Sequence, residues 1–259
     1  MTDPQSLFEF LNWKPAPLRE ILSEGLLYEG SKAFLYGKYK SLKSMLIIRL
    51  GLAIADGEQW VGFQTAKDGS SVLYLQLEIA HQLLQTRIVK MLQGQRYTKR
   101  QFTVWTESFI KLDTQPGLDL LDHWLTQVKP QVLIIDPVYK VLSGNILDGQ
   151  SVSKFLDNLD LMIAKHNVTI ILVSHTRKGV YNDWGSDDMI GSVFLSAWPD
   201  TIMRIERSNF NDLELRCEVV RHAQDEIAPK QITFNPNDIS FKPNITATIP
   251  PANTQGAVP

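Results

Sequence analysis

The sequence predicts an α/β fold with a mostly parallel central sheet, helices on both faces and an antiparallel extension at its C-terminal end. Between residues 32 and 174, apolar segments of strand length alternate with segments that have apolar residues at helical spacing. This alternation is typical of βαβ units. After about residue 200, four strand-like segments follow one another directly, with turns between them. Such an order indicates antiparallel strands that complete the sheet.

The expected parallel strands are short and rich in β-branched or aromatic residues, and most of them have the pattern of strands that are buried on both faces. They are KAFLYG (32–37), SVLYLQL (71–77), QFTVWT (101–106), QVLIID (131–136) and VTIILVS (168–174). The expected helices between them are KSMLIIRLGLAIADG, IAHQLLQTRIVKMLQG, GLDLLDHWLTQV and SVSKFLDNLDLMIAKH. The expected antiparallel strands are DTIMRIERSN, LELRCEVVRH, KQITFNP and DISFKP.

Length and composition indicate one large domain with short additions at each end. The 259 residues are 44% hydrophobic and 21% charged, which is ordinary for a globular α/β protein. We expect an N-terminal arm over residues 1–25, one domain over 26–242 and a flexible tail over 243–259, which is rich in Pro, Thr, Asn and Ala. The arm could pack on a neighbouring copy or cover the edge of its own sheet.

Charge and cysteine content exclude some classes of protein. The net charge of −2 argues against a uniformly basic coat for nucleic acid, so any such contact has to come from a local patch. The single Cys217 excludes an internal disulfide and fits a reducing compartment. We find no secretory leader and no apolar run of the roughly 20 residues that span a bilayer. We therefore expect a cytoplasmic protein with no membrane partner.

The segment GKYKSLKSM has most of the phosphate-binding pattern G-x-x-x-x-G-K-[ST]. Gly37 ends an expected strand, Lys43 begins an expected helix, and Leu42 replaces the second glycine. The loop contains no proline, so every amide donor remains for a phosphate. A chance match in an ordinary loop is the alternative. The residues expected to contact a nucleotide, ATP, are Gly37, Lys38, Tyr39, Lys40, Ser41, Leu42, Lys43, Ser44 and Met45.

Asp136 ends the apolar strand VLIID and is the expected partner of the loop in binding Mg²⁺. In phosphate-loop ATPases, an aspartate at this place and the Ser/Thr hydroxyl of the loop hold the metal ion. Ser44 supplies that hydroxyl here. An aspartate that only caps a strand end is the alternative interpretation of Asp136.

The general base cannot directly follow Asp136, because Pro137 stands there. Glu78, after the second strand, is the preferred candidate to activate water, and Glu107, after the third, is its competitor. His175 ends the apolar strand VTIILVS and lies within reach of the same sheet edge. It could sense the γ-phosphate, or it could be a structural histidine.

Taken together, these segments resemble the RecA-like P-loop ATPases, most closely the RepA-type hexameric replicative helicases of plasmids and phages. The resemblance runs from about Leu26 to Phe241. The motifs that carry it are GKYKSLKSM, VLYLQLEIAHQLLQTRI, LIIDPVYKVL, LVSHTRKG, GSVFLSAWPDTIMRI and LRCEVVRHAQDEIAP. Recombinase-related and clock-type ATPases share the same motif set.

The resemblance implies roles for individual residues. It makes Glu78 the catalytic base and His175 the γ-phosphate sensor, and it places Arg216 and Arg221 where basic residues reach into the neighbouring subunit's site. A finger of that kind makes turnover depend on a ring, which would be a homohexamer. Two positions depart from the family's pattern. Leu42 replaces the glycine of the loop, and this change affects the expected catalytic rate. Ile190 stands where an arginine is common, and this change affects the expected coupling to DNA.

Two loops would face the central channel of such a ring and contact single-stranded DNA. They are YKVLSGNILDGQ (139–150) and TRKGVYNDWGSDDM (176–189). Arg177 and Lys178 would bind phosphates, with aromatic residues nearby for stacking. Three aspartates in the second loop oppose this reading, and a solvated loop is the alternative. The residues concerned are Tyr181, Trp184, Asp183, Asp187 and Asp188.

The sequence therefore supports two functions. The preferred one is a ring-forming, ATP-driven DNA helicase or translocase in replication or recombination. The alternative is a regulatory ATPase or nucleotide-gated scaffold that controls partner binding with little turnover, which the near-neutral charge and Leu42 favour.

Overall fold

The structure is a computed structural model that describes residues 4–93, 101–175 and 193–244. It confirms the expected fold class, a mostly parallel sheet between helices with antiparallel strands at the C-terminal end. The helices are α1 (Leu7–Asn12), α2 (Lys43–Asp56), α3 (His81–Leu92), α4 (Gln115–Val128), α5 (Gly149–His166) and α6 (Val193–Ala197). None of these helices in the described ranges is long and apolar enough to cross a membrane.

The strands divide into a small ribbon and one large sheet. The ribbon pairs β1 (Glu20–Leu22) with β2 (Leu27–Tyr28). The large sheet contains β3 (Lys32–Gly37), β4 (Val72–Gln76), β5 (Phe102–Thr106), β6 (Val132–Asp136), β7 (Thr169–His175), β8 (Thr201–Arg207), β9 (Asp212–Val220), β10 (Lys230–Asn235) and β11 (Ser240–Pro243).

The order of strands in the large sheet is β11-β10-β9-β8-β3-β7-β6-β4-β5. The pairs from β8 to β5 are parallel, and β8, β9, β10 and β11 pair in antiparallel fashion. Each parallel strand except β5 lies between two neighbours. Because parallel strands need crossover connections, helices cover both faces.

Alternation along each parallel strand divides the core into two layers. On β3, Ala33 and Leu35 pack with α2 and α3, whereas Phe34 and Tyr36 pack with α4 and α5. These four side chains are fully buried. Strands with apolar residues on both faces fit between two helical layers, which accounts for the continuous apolar runs in the sequence.

Helix α2 shows how local sequence sets the ends of an element. Its apolar side chains face the first core layer, and the helix is capped after Asp56 by Gly57, whose φ of 71° is left-handed. A Cβ at Gly57 would lie 2.4 Å from the carbonyl oxygen of Lys67. Only glycine therefore allows this turn to approach the segment that leads into β4.

Three features differ from the sequence-based expectation or were not anticipated. Strand β5 is the edge of the sheet and is only half-buried, so its apolar run does not mark burial on both faces. The ribbon of β1 and β2 was not predicted, and Ile21 and Leu22 at its start are buried in the core. Helix α1 was not predicted either, and none of its residues is buried. The domain boundaries at residues 25 and 242 stay predictions.

Candidate nucleotide-binding site

The carboxyl ends of the parallel strands bring the predicted site residues to one edge of the sheet. Gly37 at the end of β3 lies opposite His175 at the end of β7. Asp136 at the end of β6 lies opposite Gln76 at the end of β4, two residues before Glu78. In α/β sheets, this edge is where ligands bind.

The phosphate loop begins with a close approach between two strands. A Cβ at Gly37 would lie 2.3 Å from the carbonyl oxygen of Ile205 on β8 and 3.0 Å from Ser41 Oγ. Glycine is therefore required at this position for steric reasons. Ser41 is buried, whereas Lys38, Tyr39 and Lys40 are exposed, so the tip of the loop is open to solvent.

Leu42 adopts the backbone conformation that suits the glycine it replaces. Its φ is 65°, in the left-handed region, and Lys40 shares this conformation with a φ of 64°. A residue with a Cβ in that region costs about 1–2 kcal/mol. The half-buried Leu42 side chain packs against the first core layer, as Met45 does, and this contact offsets part of the cost. The loop thus keeps a glycine-like path without the glycine.

Helix α2 begins directly after Leu42 with no side-chain cap. The first amides of a helix need acceptors, and the N-terminal end carries partial positive charge. An anion such as a phosphate satisfies both requirements. The geometry of residues 37–45 therefore suits a phosphate.

The amine of Lys43 lies inside the loop and is 5% exposed as a residue. Its Nζ donates to the carbonyl oxygens of Gly37 at 2.8 Å and Lys38 at 2.7 Å, and to Ser41 Oγ at 3.3 Å. Burial lowers the pKa of Lys43 from 10.5 to about 8, while the charges of Asp136 and Glu78 act in the opposite direction. Desolvation is thus the larger influence on this amine.

Asp136 is 2% exposed and hydrogen-bonded on both sides. Its Oδ2 accepts from the Tyr74 hydroxyl at 2.8 Å, and its carboxylate also accepts from the Ser44 side chain. Burial raises the pKa of Asp136, against these hydrogen bonds and Lys43. A carboxylate and a hydroxyl in contact form an oxygen donor set. Mg²⁺ is often held by one or two carboxylates together with substrate phosphates, so these residues fit it.

Glu78 lies just beyond β4 and is exposed. The buried Gln76 fixes its backbone, because Gln76 Oε1 accepts from the amides of Glu78 at 3.0 Å and Ile79 at 2.7 Å. The Glu78 carboxylate accepts a hydrogen bond from the Tyr139 hydroxyl. Its charge also acts on Lys43, which places it within the electrostatic neighbourhood of the loop.

The competing carboxylate, Glu107, is engaged in its own turn. Its Oε1 accepts from the amides of Ser108 at 2.8 Å and Phe109 at 3.2 Å. These bonds point the carboxylate along the chain that follows β5. The geometry favours Glu78 over Glu107 as the base, and the assignment stays a prediction.

His175 is half-buried, with the rings of two tyrosines beside it. Its ring centroid lies 6.2 Å from that of Tyr39 and 6.1 Å from that of Tyr139. Its Nδ1 is buried and lacks a hydrogen-bond partner among the described residues. Burial and the charge of Lys43 lower the pKa of His175, so the neutral ring is favoured near pH 7. A neutral histidine with an unsatisfied nitrogen can respond to a ligand group that enters the site.

The two expected arginine fingers, Arg216 and Arg221, lie on β9 and just beyond its end. Arg216 pairs with Glu214 on the same strand. Arg221 donates to the carbonyl oxygen of Ala197 at 2.7 Å and lies 3.9 Å from Asp200 Oδ1. Strand register places Arg221 next to the start of β8, whereas the phosphate loop lies near the opposite end of β8. Arg221 is therefore far from the loop of its own chain, whereas Arg216 lies two strands away from Tyr36, with Arg204 between them.

Sequence reasoning missed four residues that hold the site together. Tyr74, Gln76 and Tyr139 contact the carboxylate groups or fix their backbone, as described above. Arg207 at the end of β8 donates to the carbonyl oxygen of Lys40 at 3.2 Å and so contacts the loop directly. A polar group inside the apolar run VLYLQL was the available signal for Tyr74 and Gln76. The positions of Tyr139 and Arg207 depend on turns that the sequence pattern does not specify.

Several expectations concern residues outside the described ranges. The proposed DNA contacts Arg177 and Lys178 fall there, as do the whole of the predicted loop over 176–189 and Ile190 after it. They stay predictions, as does the flexible tail over 243–259, of which only the first two residues are described.

Comparisons with known proteins bear on the family and the fold of the chain. The family model described as "AAA domain" matches residues 2–180. A search of the curated proteins gave no match. Many solved structures are similar in fold, and three of them illustrate the range. One is an ATPase domain with a TM-score of 0.64 and 11% sequence identity, and the match covers 83% of this chain and 84% of that one.

The second solved structure is a KaiC-like protein from the hyperthermophilic archaeon Pyrococcus horikoshii OT3. Its TM-score is 0.60 at 12% identity, with 88% of this chain and 100% of that chain covered. The third is a DnaB-like replicative helicase, whose structure concerns its interactions with primase. Its TM-score is 0.64 at 12% identity, with 83% of this chain but only 57% of that chain covered. At these identities, the likeness extends to the fold.

Proposed function

The chain belongs to the AAA domain family and has the RecA-like fold that its motifs indicated, and on this premise we propose that it binds Mg-ATP and hydrolyses it. The observation that carries the proposal is the arrangement around Lys43. Its buried amine donates hydrogen bonds inside a loop of phosphate-binding shape, at the sheet edge where Asp136, Glu78 and His175 also lie.

Each residue of the site has a chemical task in this proposal. The loop amides and Lys43 hold the phosphates, which replace the carbonyl oxygens that now accept from the lysine. Ser44 and Asp136 would bind Mg²⁺, which neutralises charge on the β- and γ-phosphates. Glu78 takes a proton from water as the water oxygen attacks the γ-phosphorus and the bond to ADP breaks. His175 contacts the γ-phosphate region and passes its state to the chain that follows β7.

The ATPase proposal is tested with Lys43→Ala and Glu78→Gln. Lys43→Ala should abolish binding of a fluorescent ATP analogue, because the loop loses its buried cation. Glu78→Gln should keep binding and lose about 10²–10⁴ in phosphate release, because an amide cannot accept the proton. Lys90→Ala, an exposed lysine on α3, is the matched control and should behave like the parent.

Two results would contradict this assignment. Parent-like hydrolysis by Lys43→Ala would remove the nucleotide site from residues 37–45. Parent-like hydrolysis by Glu78→Gln together with an inactive Glu107→Gln would transfer the role of base to Glu107.

The finer proposal is a homohexameric ring that acts as a DNA helicase or translocase in replication or recombination. Support comes from the motif set and from the fold shared with a DnaB-like replicative helicase. The structure adds one argument: Arg221 lies too far along the sheet to serve its own site, so a role in catalysis requires a second copy. Single-stranded DNA should stimulate hydrolysis, and negative-stain images with Mg-ATP should show closed six-membered rings.

A regulatory ATPase with little turnover is the second candidate. The specific observation in its favour is that both expected fingers are held within their own chain, by Glu214 and by Asp200 with Ala197. Slow hydrolysis that DNA does not change, with ATP-dependent binding of a partner, would favour this function over the motor.

A further inference from the structure

We propose that Tyr139 is a positioning residue that holds the Glu78 carboxylate in place for the activation of water. This inference rests on the proposed ATPase function and extends it to a residue of the segment LIIDPVYKVL to which sequence reasoning assigned no catalytic role. The observation is direct: the Tyr139 hydroxyl donates a hydrogen bond to Glu78 Oε1. Tyr139 comes three residues after the metal-binding candidate Asp136. One short turn therefore links the carboxylate of Asp136, through Tyr139 and its hydrogen bond, to the carboxylate of Glu78.

The turn that carries Tyr139 is firmly attached to the protein. Val138 and Val141, on either side of the tyrosine, are fully buried. Lys111 Nζ donates to the carbonyl oxygens of Lys140 and Leu142, both at 2.7 Å. With the backbone held in this way, the Tyr139 ring projects from a fixed point while remaining 39% exposed at the surface of the site.

The next residues of the turn are fixed in the same manner. The amide of Leu112 donates to the carbonyl oxygen of Val141 at 2.7 Å. The amide of Ser143 donates to both carboxylate oxygens of Asp113 at 3.0 Å. The segment after β5 and the turn after β6 therefore form one rigid unit, from which the tyrosine hydroxyl reaches Glu78.

Glu78, in contrast, is an exposed side chain with three rotatable bonds. Its backbone is held by Gln76, but a glutamate side chain that is free to rotate loses rotamer entropy, about 1.5–2 kcal/mol, when it is ordered. A fixed donor supplies the interaction that offsets this cost. Of the two carboxylate oxygens, the one bonded to Tyr139 is oriented, and the other remains available to accept a proton from water.

Tyr139 is suited to act as a permanent donor. Burial and the adjacent Glu78 raise the pKa of Tyr139, so the phenol keeps its proton at any pH at which the enzyme would work. Its ring also lies 6.1 Å from the ring of His175. The same side chain thus contacts both the proposed base and the proposed γ-phosphate sensor.

The test compares Tyr139→Phe, which keeps the ring and removes the hydroxyl, with the matched control Tyr28→Phe on β2, outside the site. We expect Tyr139→Phe to lower kcat by about ten- to a hundredfold, the effect of losing one hydrogen bond to a charged group. KM, the affinity for the ATP analogue and the melting temperature should stay within about twofold or a few degrees of the parent. Tyr28→Phe should match the parent throughout.

A second arm shows whether Tyr139 acts through Glu78. In the Glu78→Gln background, adding Tyr139→Phe should cause no further loss of rate. In the nucleotide-free protein, the ¹³C resonance of the Glu78 side-chain carboxyl, assigned by its disappearance in Glu78→Gln, should move in Tyr139→Phe but not in Tyr28→Phe. This readout does not depend on catalysis.

The outcomes separate this inference from the proposed function. If the parent hydrolyses ATP and Glu78→Gln does not, a parent-like kcat and an unmoved carboxyl resonance in Tyr139→Phe overturn the positioning role alone. The positioning role is also overturned if Tyr139→Phe loses as much nucleotide affinity as rate, or if its melting temperature falls by much more than a few degrees. In either case the role of Tyr139 would be structural. A parent without ATPase activity overturns the proposed function and this inference together.

Discussion

The amine of Lys43 is the cation expected to bind the phosphates, and burying it costs free energy of desolvation. The loop removes it from water and saturates it with the carbonyl oxygens of Gly37 and Lys38. Burial disfavours the charged form, so desolvation outweighs the attraction of Asp136 and Glu78 and lowers the pKa of Lys43 to about 8. A phosphate that binds next to Lys43 should therefore stabilise the protonated amine, whose pKa burial lowers in the free protein.

This pKa predicts how nucleotide affinity depends on pH. The amine is charged below about pH 8 and neutral above it, and a phosphate binds the charged form. Between roughly pH 7 and pH 9, the charged fraction falls from about nine-tenths to about one-tenth, so the Kd for Mg-ATP should rise about tenfold. Titration with a fluorescent ATP analogue at constant ionic strength measures it. The matched variant Lys43→Arg keeps its charge in this range and should lose the dependence.

A flat affinity between pH 7 and pH 9 in the parent would show that Lys43 does not titrate in this range. A flat affinity would also be expected if the phosphates bound at a distance from the Lys43 amine. A dependence that persists in Lys43→Arg would instead assign the titration to another group of the site. His175 is not that group, because burial lowers its pKa and its ring is already neutral near pH 7.

The positions of the candidate site residues could be predicted because each is local to a short motif. Gly37 and Asp136 end apolar strands, Glu78 follows one, and Lys43 and Ser44 begin a helix, so the pattern alone places them at one sheet edge. Their roles stay predictions. The left-handed conformation of Leu42 could not be predicted from leucine's own preferences. The loop imposes it, because the strand before and the helix after fix both of its ends.

At the scale of elements, the strands of the large sheet and the helices that cover it could be predicted from the hydrophobic pattern of the sequence. The ribbon of β1 and β2 and the edge position of β5 could not. The ribbon of β1 and β2 contains only five residues, too few for a period to be recognised. The edge position of β5 depends on strand order, which no single segment encodes. The turn with Tyr139 is set by contacts with Lys111 and Asp113, which are distant along the chain.

Helix α1 is an element without a core of its own. Ser6, the residue before the helix, and Glu9 in its first turn form a capping box with reciprocal hydrogen bonds, yet none of the six helical residues is buried. Leu7, Phe8 and Leu11 are each more than 70% exposed. A helix this short is marginal in water, and its apolar side chains gain free energy only when something covers them. The two expectations for this arm, a neighbouring copy or its own sheet edge, therefore make different predictions.

We expect the variant Leu7→Ser/Phe8→Ser/Leu11→Ser to melt within a few degrees of the parent as a monomer, because these side chains contribute no burial within the chain. In sedimentation velocity with Mg-ATP, it should self-associate less than the parent if the arm covers a neighbour. The control is Leu22→Ala on β1, a fully buried side chain whose truncation should cost about 2–5 kcal/mol of unfolding free energy. A marked loss of monomer stability in the triple variant would show that the arm covers its own chain.

At the scale of the whole molecule, the antiparallel strands determine which roles the candidate fingers can take. On β8 and β9, Arg207 lies opposite Leu213 near the phosphate loop, and Thr201 lies opposite Val220 at the other end. Six residue steps separate Arg207 from Thr201, a distance of about 20 Å along the strand. Arg221, just beyond Val220, is therefore remote from its own loop, and Arg216 lies between the two ends.

A mixing experiment tests whether a neighbouring subunit completes the site. Removing the finger, by Arg216→Ala or Arg221→Ala, should abolish turnover and spare ATP binding. Mixing that variant with Glu78→Gln should restore part of the hydrolysis, because some interfaces in a mixed ring then combine an intact Glu78 from one subunit with an intact arginine from the next. A finger supplied in trans contributes about 10³–10⁵ in rate, so a few rescued interfaces are visible above background. Fluorescence transfer between labelled chains must show that subunits exchange. If they exchange and no activity returns, all catalytic groups belong to one chain, and the ring motor gives way to the regulatory ATPase.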